Sequence, residues 1–288
     1  MRAAIFGVAL TSLALVLTAS AIGSPAKPAQ SGSCAKANLN LVKDGQLSLA
    51  TDNPAFPPWW GGAAKKPWEV SNPASGKGYE SAVAYAVAKQ LGFTKAQVAW
   101  SAVPFSNSFR PGKKPFDFYM AQVSFNKQRA QNVSFSNSYY YVNQAVVGNA
   151  GTPITRVRTV AGLRPYKLGA QVGTTSYDYI ENIIRPSQSA AVYDSNNDAI
   201  SALDAGQIDG IVVDLPTAFF VVAVQLDDGE IVGKLPQRGA REQFGMVFEK
   251  GNTLTRCVNR ALNRLWANGT IKGLQRKYLA AAGAPDLR

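Results

Sequence analysis

The stretch Asp209-Gly210-Ile211-Val212-Val213-Asp214-Leu215-Pro216 decides the fold class. A run of β-branched residues follows the glycine, which predicts a buried strand over 208–214. The proline two residues after Asp214 suits the first turn of a helix and predicts that one begins there. A strand that passes directly into a helix is the unit from which α/β folds are built.

The same alternation extends from this unit in both directions. Towards the N-terminus, the sequence predicts strands over 47–51, 98–103, 116–124 and 168–172 and helices over 79–91, 175–184 and 198–205. Towards the C-terminus, apolar residues at helical spacing from Leu254 to Leu265 predict a helix, and a short helix follows over 271–278. We therefore expect an α/β fold in two lobes, each a mostly parallel sheet flanked by helices.

The first residues predict export. Arg2 precedes an apolar segment over 5–17 and a small-residue pattern at 19–21, which is typical of a signal peptide removed after about Ala21. We expect residues 22–40 to form a flexible segment and the mature chain to be periplasmic, extracellular or on the cell surface. A lipid anchor at Cys34 is the alternative, although residues 31–33 lack the leucine of a lipoprotein signal.

Composition limits the chemistry. The 288 residues include 30 Lys and Arg, 18 Asp and Glu, 2 Cys and no His, and the formal net charge is +12. Without imidazole, Ser-His-Asp and Cys-His catalytic sets are excluded, and two cysteines exclude a zinc site of four thiolates. We therefore expect no metal and no cofactor. We also expect no nucleic-acid partner, because the basic residues are scattered over the sequence.

The two cysteines, Cys34 and Cys257, lie near opposite ends of the mature chain. An oxidising compartment allows such thiols to pair, so we expect a disulfide. The alternative is a free Cys34 and a Cys257 buried on a helix face.

Three polar groups lie at the ends of predicted strands or the starts of predicted helices, where open α/β sheets bind ligands. Arg129 can hold a carboxylate through two parallel hydrogen bonds, the turn over 173–176 can present N–H groups to an anion, and Asp214 can accept an ammonium. Singly, they are also explained as a surface arginine and two helix caps. Together they match a free amino acid, which carries one carboxylate and one ammonium.

The order of several motifs resembles the extracellular solute-binding proteins of polar amino-acid ABC transporters, family 3. The motifs are Leu49-Ala50-Thr51-Asp52 leading to Phe56 and Pro58, Gln128-Arg129 leading to Val133-Ser134-Phe135-Ser136 and Tyr139-Tyr140, Val172-Gly173-Thr174-Thr175-Ser176, and Asp209 to Asp214. The resemblance spans about residues 41–282. It implies a two-lobe fold with a two-segment hinge, with lobe 1 at 41–141 and 243–288 and lobe 2 at 142–242. It also implies a monomer that delivers a free, polar amino acid to the membrane subunits of an ABC transporter.

The resemblance assigns roles to single residues. Arg129 matches the arginine that binds the ligand carboxylate, and Asp214 the aspartate that binds the ammonium. Ser124 matches a hydroxyl that touches the backbone groups of the ligand, and Thr175, after Thr174, matches a residue whose N–H holds the carboxylate.

Further matches concern the ligand side chain. Phe56 and Phe105 match aromatics that sandwich it, and core packing is the alternative. Selectivity is usually set at the positions of Asp52, Gln122 and Gln171. Gln122 departs from the family pattern, which has a small residue there, often glycine.

The main alternative is an enzyme on the same fold, a carboxylate-based dehydratase of cyclic amino-acid precursors with Asp52 as its acid. Asp52 and Asp214 serve equally as acceptors for a ligand, so we expect a binding protein and no enzyme. A sensor module is a third possibility, but the sequence has no later apolar stretch of about 20 residues to anchor one.

Overall fold

The computed structural model describes Met1 and residues 34–237, 239–279 and 284–288, so the predicted signal peptide lies outside the described residues. The strands are β1 (Leu47–Thr51), β2 (Val98–Ala102), β3 (Phe118–Tyr119), β4 (Val133–Phe135), β5 (Tyr140–Tyr141), β6 (Gln144–Asn149), β7 (Leu168–Gln171), β8 (Ala191–Tyr193), β9 (Gly210–Asp214), β10 (Gly229–Lys234), β11 (Gln243–Phe244) and β12 (Val247–Glu249).

The α-helices are α1 (Tyr79–Gln90), α2 (Phe105–Ser108), α3 (Arg129–Asn132), α4 (Thr175–Tyr179), α5 (Asn196–Asp204), α6 (Leu215–Phe220), α7 (Leu254–Ala267) and α8 (Thr270–Tyr278). Two of them continue as π-helical turns, α4 over Ile180–Ile184 and α6 over Val221–Gln225. Short 3₁₀ turns occur at Lys36–Asn38, Pro73–Ser75, Lys95–Gln97, Pro153–Arg156 and Ala161–Leu163. None of the helices described is long and apolar enough to cross a membrane.

Ten of the strands form two five-stranded sheets, in the orders β2-β1-β3-β12-β4 and β10-β6-β9-β7-β8. In the first sheet, β1 is parallel to β2 and β3, and β12 is antiparallel to β3 and β4. In the second sheet, β7 is parallel to β8 and β9, and β6 is antiparallel to β9 and β10. Four of the five strands in each sheet therefore run the same way, which confirms the predicted fold class.

The other two strands, β5 and β11, pair with each other where the chain passes between the sheets. In this antiparallel pair, Tyr140 faces Phe244 and Tyr141 faces Gln243. The first sheet draws its strands from residues 47–135 and 247–249, and the second from 144–234. Two connecting segments are what a hinged two-lobe fold requires, and the exact lobe boundaries stay a prediction.

The C-terminal tail departs from the expected division. Its residues 284–288 lie against the second sheet, where the N–H of Lys234 donates to the Pro285 carbonyl (2.6 Å) and the N–H of Leu287 to the Lys234 carbonyl (2.9 Å). Asp286 forms an ion pair with Lys234 at 2.9 Å. Leu287 is buried in the core of the second sheet, so assigning all of 243–288 to lobe 1 does not hold for this tail.

Apolar helix faces cover the first sheet. Helices α1, α7 and α8 contribute to one core with β1 and β3, and the buried face of α7 carries Cys257 as its spacing predicts. Cys257 is bonded to Cys34, which confirms the predicted disulfide. The bond fastens the start of the described chain to α7.

The strand predicted over 116–124 is shorter than expected, since β3 ends at Tyr119. The N–H of Gln122 donates to Oε1 of Glu80 on α1 (2.8 Å), and its φ of +50° turns the chain out of the sheet. A buried carboxylate thus replaces a neighbouring strand as hydrogen-bond partner. Residues after this turn form part of a cavity wall.

Candidate ligand-binding site

A cavity of about 280 Å³ lies where β1, β7 and β9 end, with walls from both sheets. It is lined by all ten residues that the sequence predicts for a ligand site: Asp52, Phe56, Phe105, Gln122, Ser124 and Arg129 from the first sheet's side, and Gln171, Thr174, Thr175 and Asp214 from the second. Their role in binding stays a prediction, whereas their common location is a property of the fold.

Arg129 is a buried cation that touches both sides of the cavity. It begins α3, where the side chain of Asn126 accepts its N–H (2.7 Å), and it is 6% exposed. Nη1 donates to the Ser124 carbonyl (2.6 Å), and Nη2 donates across the cavity to the Gly173 carbonyl (2.7 Å). The guanidinium carbon lies 4.6 Å from the ring centre of Phe109. These contacts fix the direction in which the guanidinium points.

Burial lowers the pKa of Arg129 to about 10, and the nearby carboxylates of Asp178, Glu242 and Asp214 oppose that shift. The guanidinium therefore keeps its charge at neutral pH. One end of the cavity holds a fixed positive charge with acids around it.

Asp214 is the half-buried carboxylate on the opposite wall. It ends β9, and its Oδ1 accepts a hydrogen bond from Nε2 of Gln144 (2.8 Å). Burial raises the pKa of Asp214 well above its usual range, and the charge of Glu242 raises it further, while the Gln144 hydrogen bond and Arg129 act in the other direction. Because its charged form is disfavoured, this carboxylate gains from any cation placed beside it.

Glu242, just before β11, connects the two walls. Its Oε1 accepts hydrogen bonds from the hydroxyls of Ser124 (2.5 Å) and Thr175 (2.6 Å), which lie on different sides of the cavity. Nε2 of Gln144 lies 3.1 Å from its Oε2 and also bonds Asp214. The Ser124 hydroxyl, which is predicted to meet a ligand, thus already has a protein partner.

Acceptor groups collect at another part of the cavity, around Asp52. This carboxylate accepts from the backbone of Asn53 (2.9 Å) and from Gln171. Burial raises its pKa to about 6, against the hydrogen bonds from Asn53, Phe105 and Gln171. Gln122 donates its side-chain Nε2 to Glu80, which leaves the amide oxygen as its free polar atom.

Aromatic rings line the remaining wall. Phe105 packs edge-on against Phe109 at 5.4 Å between ring centres, and its ring lies 5.5 Å from the guanidinium carbon of Arg129. Phe56 and Trp60 line the same cavity. Behind it, the indole N–H of Trp59 donates to the Thr217 hydroxyl on α6 (2.9 Å), another direct bond between the two sides.

Sequence reasoning misses four of these residues. Glu80 carries a detectable signal, because it falls on the apolar face of α1 with fully buried neighbours and so needs buried partners. Gln144 opens the apolar run 145–147, typical of a buried strand. Glu242 and Phe109 carry no local signal, because their roles depend on residues more than 60 positions away or on the packing of a short helix.

The site pairs a fixed guanidinium with a half-buried carboxylate across a small, polar cavity. Such a site can bind a molecule that presents a carboxylate and an ammonium a few bonds apart, and neither charge needs to stay in water. Among the residues described, no group of three His, Cys, Asp or Glu is placed to hold a metal ion. Fold and site together define a two-lobed solute-binding protein.

The chain belongs to the bacterial extracellular solute-binding proteins, family 3, whose family model matches residues 61–281. It is 27% identical over 210 residues to the L-cystine-binding protein TcyJ of Escherichia coli (strain K12), covering 71% of this chain and 74% of the relative. It is 23% identical over 285 residues to the ABC transporter glutamine-binding protein GlnH of Bacillus subtilis (strain 168), covering 96% and 97%. An ancestral arginine-binding protein bound to arginine superposes with a TM-score of 0.66 at 24% identity, covering 82% of this chain and 99% of that structure.

Proposed function

We propose that this protein binds a free amino acid in the cavity between its two sheets and delivers it to an ABC importer. The observation that carries the proposal is the pairing of buried Arg129 with half-buried Asp214 on opposite walls of one cavity. The names of the relatives add support, since they bind cystine and glutamine, and a structural neighbour holds arginine.

Arg129 is the proposed partner of the ligand carboxylate. Its bonds to the Ser124 and Gly173 carbonyls use two of the five N–H groups of a guanidinium, so the fork can still bind a carboxylate through two parallel bonds. The backbone N–H of Thr175, in the first turn of α4, is the proposed additional donor. Asp214 takes the ammonium.

The side chain of the ligand is proposed to lie near Asp52. The carboxylate of Asp52 and the free amide oxygen of Gln122 are acceptors, so they favour a side chain that donates hydrogen bonds. A cationic side chain such as that of L-arginine satisfies both, whereas an acidic one meets a second negative charge. Phe56 and Phe105 are the proposed aromatic contacts on either side, and Gln171 bonds Asp52 from the second sheet.

Delivery requires export and lobe closure. We propose that the segment before residue 22 is a signal peptide and that the mature monomer moves as two lobes about the segments near β5 and β11. Because contacts to the ligand come from both walls, binding favours the arrangement in which both walls touch it.

A thermal-shift screen tests the proposal. Purified protein is unfolded, dialysed free of ligand, refolded and mixed with each common amino acid. An amino acid at 100 times its Kd stabilises by about 2.7 kcal/mol, a shift that is readily measured. If no amino acid raises the melting temperature, the proposed function is wrong.

A second candidate, a dehydratase, rests on one observation. The pKa of Asp52 is raised to about 6, chiefly by burial, which suits a general acid near neutral pH. Turnover of a cyclic amino-acid precursor by the wild-type protein, lost in Asp52→Asn, would favour the enzyme. If the wild-type protein leaves the precursor unchanged, the result favours the binding protein.

A further inference from the structure

The hydroxyls of Ser124 and Thr175 can each donate one hydrogen bond, and both donate it to Glu242. Their oxygens lie 2.5 Å and 2.6 Å from the same carboxylate oxygen. A carboxylate only accepts, so the direction of both hydrogen bonds is fixed. Towards the cavity, which both residues line, each hydroxyl oxygen presents lone pairs and no proton.

The same network fixes the orientation of Gln144. Ser176 donates its hydroxyl to Oε1 of Gln144 (2.5 Å), which turns Nε2 towards Asp214 (2.8 Å) and Glu242 (3.1 Å). Gln144 is 3% exposed, so this arrangement is shielded from water. The amide donates to both carboxyl groups and holds them close to each other.

We infer that Glu242 is a positioning residue for the ammonium end of the site. Because Glu242 accepts the hydrogen bonds of both hydroxyls, the oxygens of Ser124 and Thr175 face the ligand as acceptors. Together with Asp214 they make three acceptors, which match the three N–H groups of an ammonium. The inference rests on the proposed amino-acid function and adds a residue that does not itself line the cavity.

The inference changes the expected role of Ser124. A hydroxyl that donates its one hydrogen bond to Glu242 cannot also donate to the ligand carboxylate. That carboxylate is left to Arg129 and to the backbone N–H of Thr175. The discriminating question is therefore which end of the ligand depends on Glu242.

Glu242→Gln answers it, because glutamine keeps the shape and loses the charge. If the amide oxygen takes the place of Oε1, the N–H₂ meets Nε2 of Gln144, donor against donor. The favoured orientation therefore points the N–H₂ at the two hydroxyl oxygens, which then accept from residue 242 and turn their own protons elsewhere. The probes are L-arginine, L-argininamide, which keeps the ammonium, and δ-guanidinovalerate, which keeps the carboxylate. If the screen finds another preferred amino acid, its own amide and deaminated acid replace these probes.

We expect Glu242→Gln to raise the Kd of L-arginine and of L-argininamide by about tenfold or more, equivalent to about 1.4 kcal/mol. The Kd of δ-guanidinovalerate should change by less than about twofold, because it has no ammonium to lose. Ser124→Ala should give the same pattern and carries the test if Glu242→Gln does not fold. Glu230→Gln, the same change at an exposed position on β10, is the matched control.

Two results would overturn the inference. An equal loss for all three probes would mean that Glu242 only supports the structure of the connecting segment. A larger loss for δ-guanidinovalerate than for L-argininamide would mean that the hydroxyls serve the carboxylate. Failure of the wild-type protein to bind any amino acid is a different outcome, since it refutes the proposed function itself.

Discussion

Asp214→Asn separates ligand binding from stability more cleanly than any change at Arg129. The guanidinium of Arg129 bonds two carbonyls and stacks on Phe109, so Arg129→Ala also removes contacts that hold the empty protein together. Asparagine at 214 keeps an acceptor for Gln144, removes the charge and replaces the other carboxylate oxygen by an N–H₂ group.

The expected loss of affinity follows from the burial of Asp214. Truncating one partner of a buried charge pair costs about 2–5 kcal/mol. Because burial and Glu242 raise the pKa of Asp214 and disfavour its charged form, ionising it offsets part of the gain from the ammonium, which favours the lower part of that range. We expect a loss of about 2–3 kcal/mol, or about 30-fold to 140-fold in Kd.

The stability of the empty protein should change in the opposite direction. A carboxyl group whose pKa is higher in the folded state contributes stability at low pH and loses it as the pH rises through the folded pKa. Asp214→Asn and wild type should therefore unfold alike in acid and diverge as the pH rises. Each pH unit in that window is worth about 1.4 kcal/mol, or about 3–6 °C in melting temperature for a chain of this size.

The assay is calorimetric titration with the preferred amino acid, alongside melting curves of the empty proteins at several pH values. Asp228→Asn, the same change in an exposed loop, is the control. Wild-type affinity in Asp214→Asn would refute the role of this carboxylate. A large fall in the melting temperature of the empty variant would return Asp214 to a structural role.

Three further predictions follow from the same geometry. Amino-acid affinity should rise with pH until Asp214 is ionised, because burial, Glu242 and Glu80 raise the pKa of Asp214 more than Arg129 lowers it. Calorimetric titrations in buffers of different ionisation heat should detect the proton that binding releases. Asp52→Asn should reduce the ratio of L-arginine to L-glutamine affinity by about tenfold, or about 1.4 kcal/mol, and an unchanged ratio in competition binding would remove Asp52 from side-chain selection. Removing the disulfide with Cys34→Ser should lower the free energy of unfolding by about 2–5 kcal/mol in denaturant titrations, because the bond joins cysteines 223 residues apart and so restricts the unfolded chain. Amino-acid affinity should stay unchanged.

The sequence predicts the parts of the fold that have local periodicity. The apolar face of α7 and the strand-to-helix passage at Asp214 both appear where their spacing places them, because period and turn chemistry act within about ten residues. Short strands such as β4 and β8, of three residues each, have too few positions to show a period.

The candidate site also contains residues that the sequence predicts and residues that it does not. Arg129, the turn over 173–176 and Asp214 could be predicted from their residue types at predicted strand ends or helix starts, whereas the other predicted lining residues came only from the resemblance to the family. Glu242 could not, because it meets Ser124 and Thr175 only after both connecting segments have folded back between the sheets. The attachment of Leu287 to the second sheet depends in the same way on contacts between distant parts of the chain.

A crystal structure of the protein with its preferred amino acid tests the central claim most directly. We predict the ligand carboxylate within hydrogen-bond distance of Arg129 and the Thr175 N–H, and the ammonium within hydrogen-bond distance of Asp214. A ligand bound in the reverse orientation, or in a different cavity, would contradict this account.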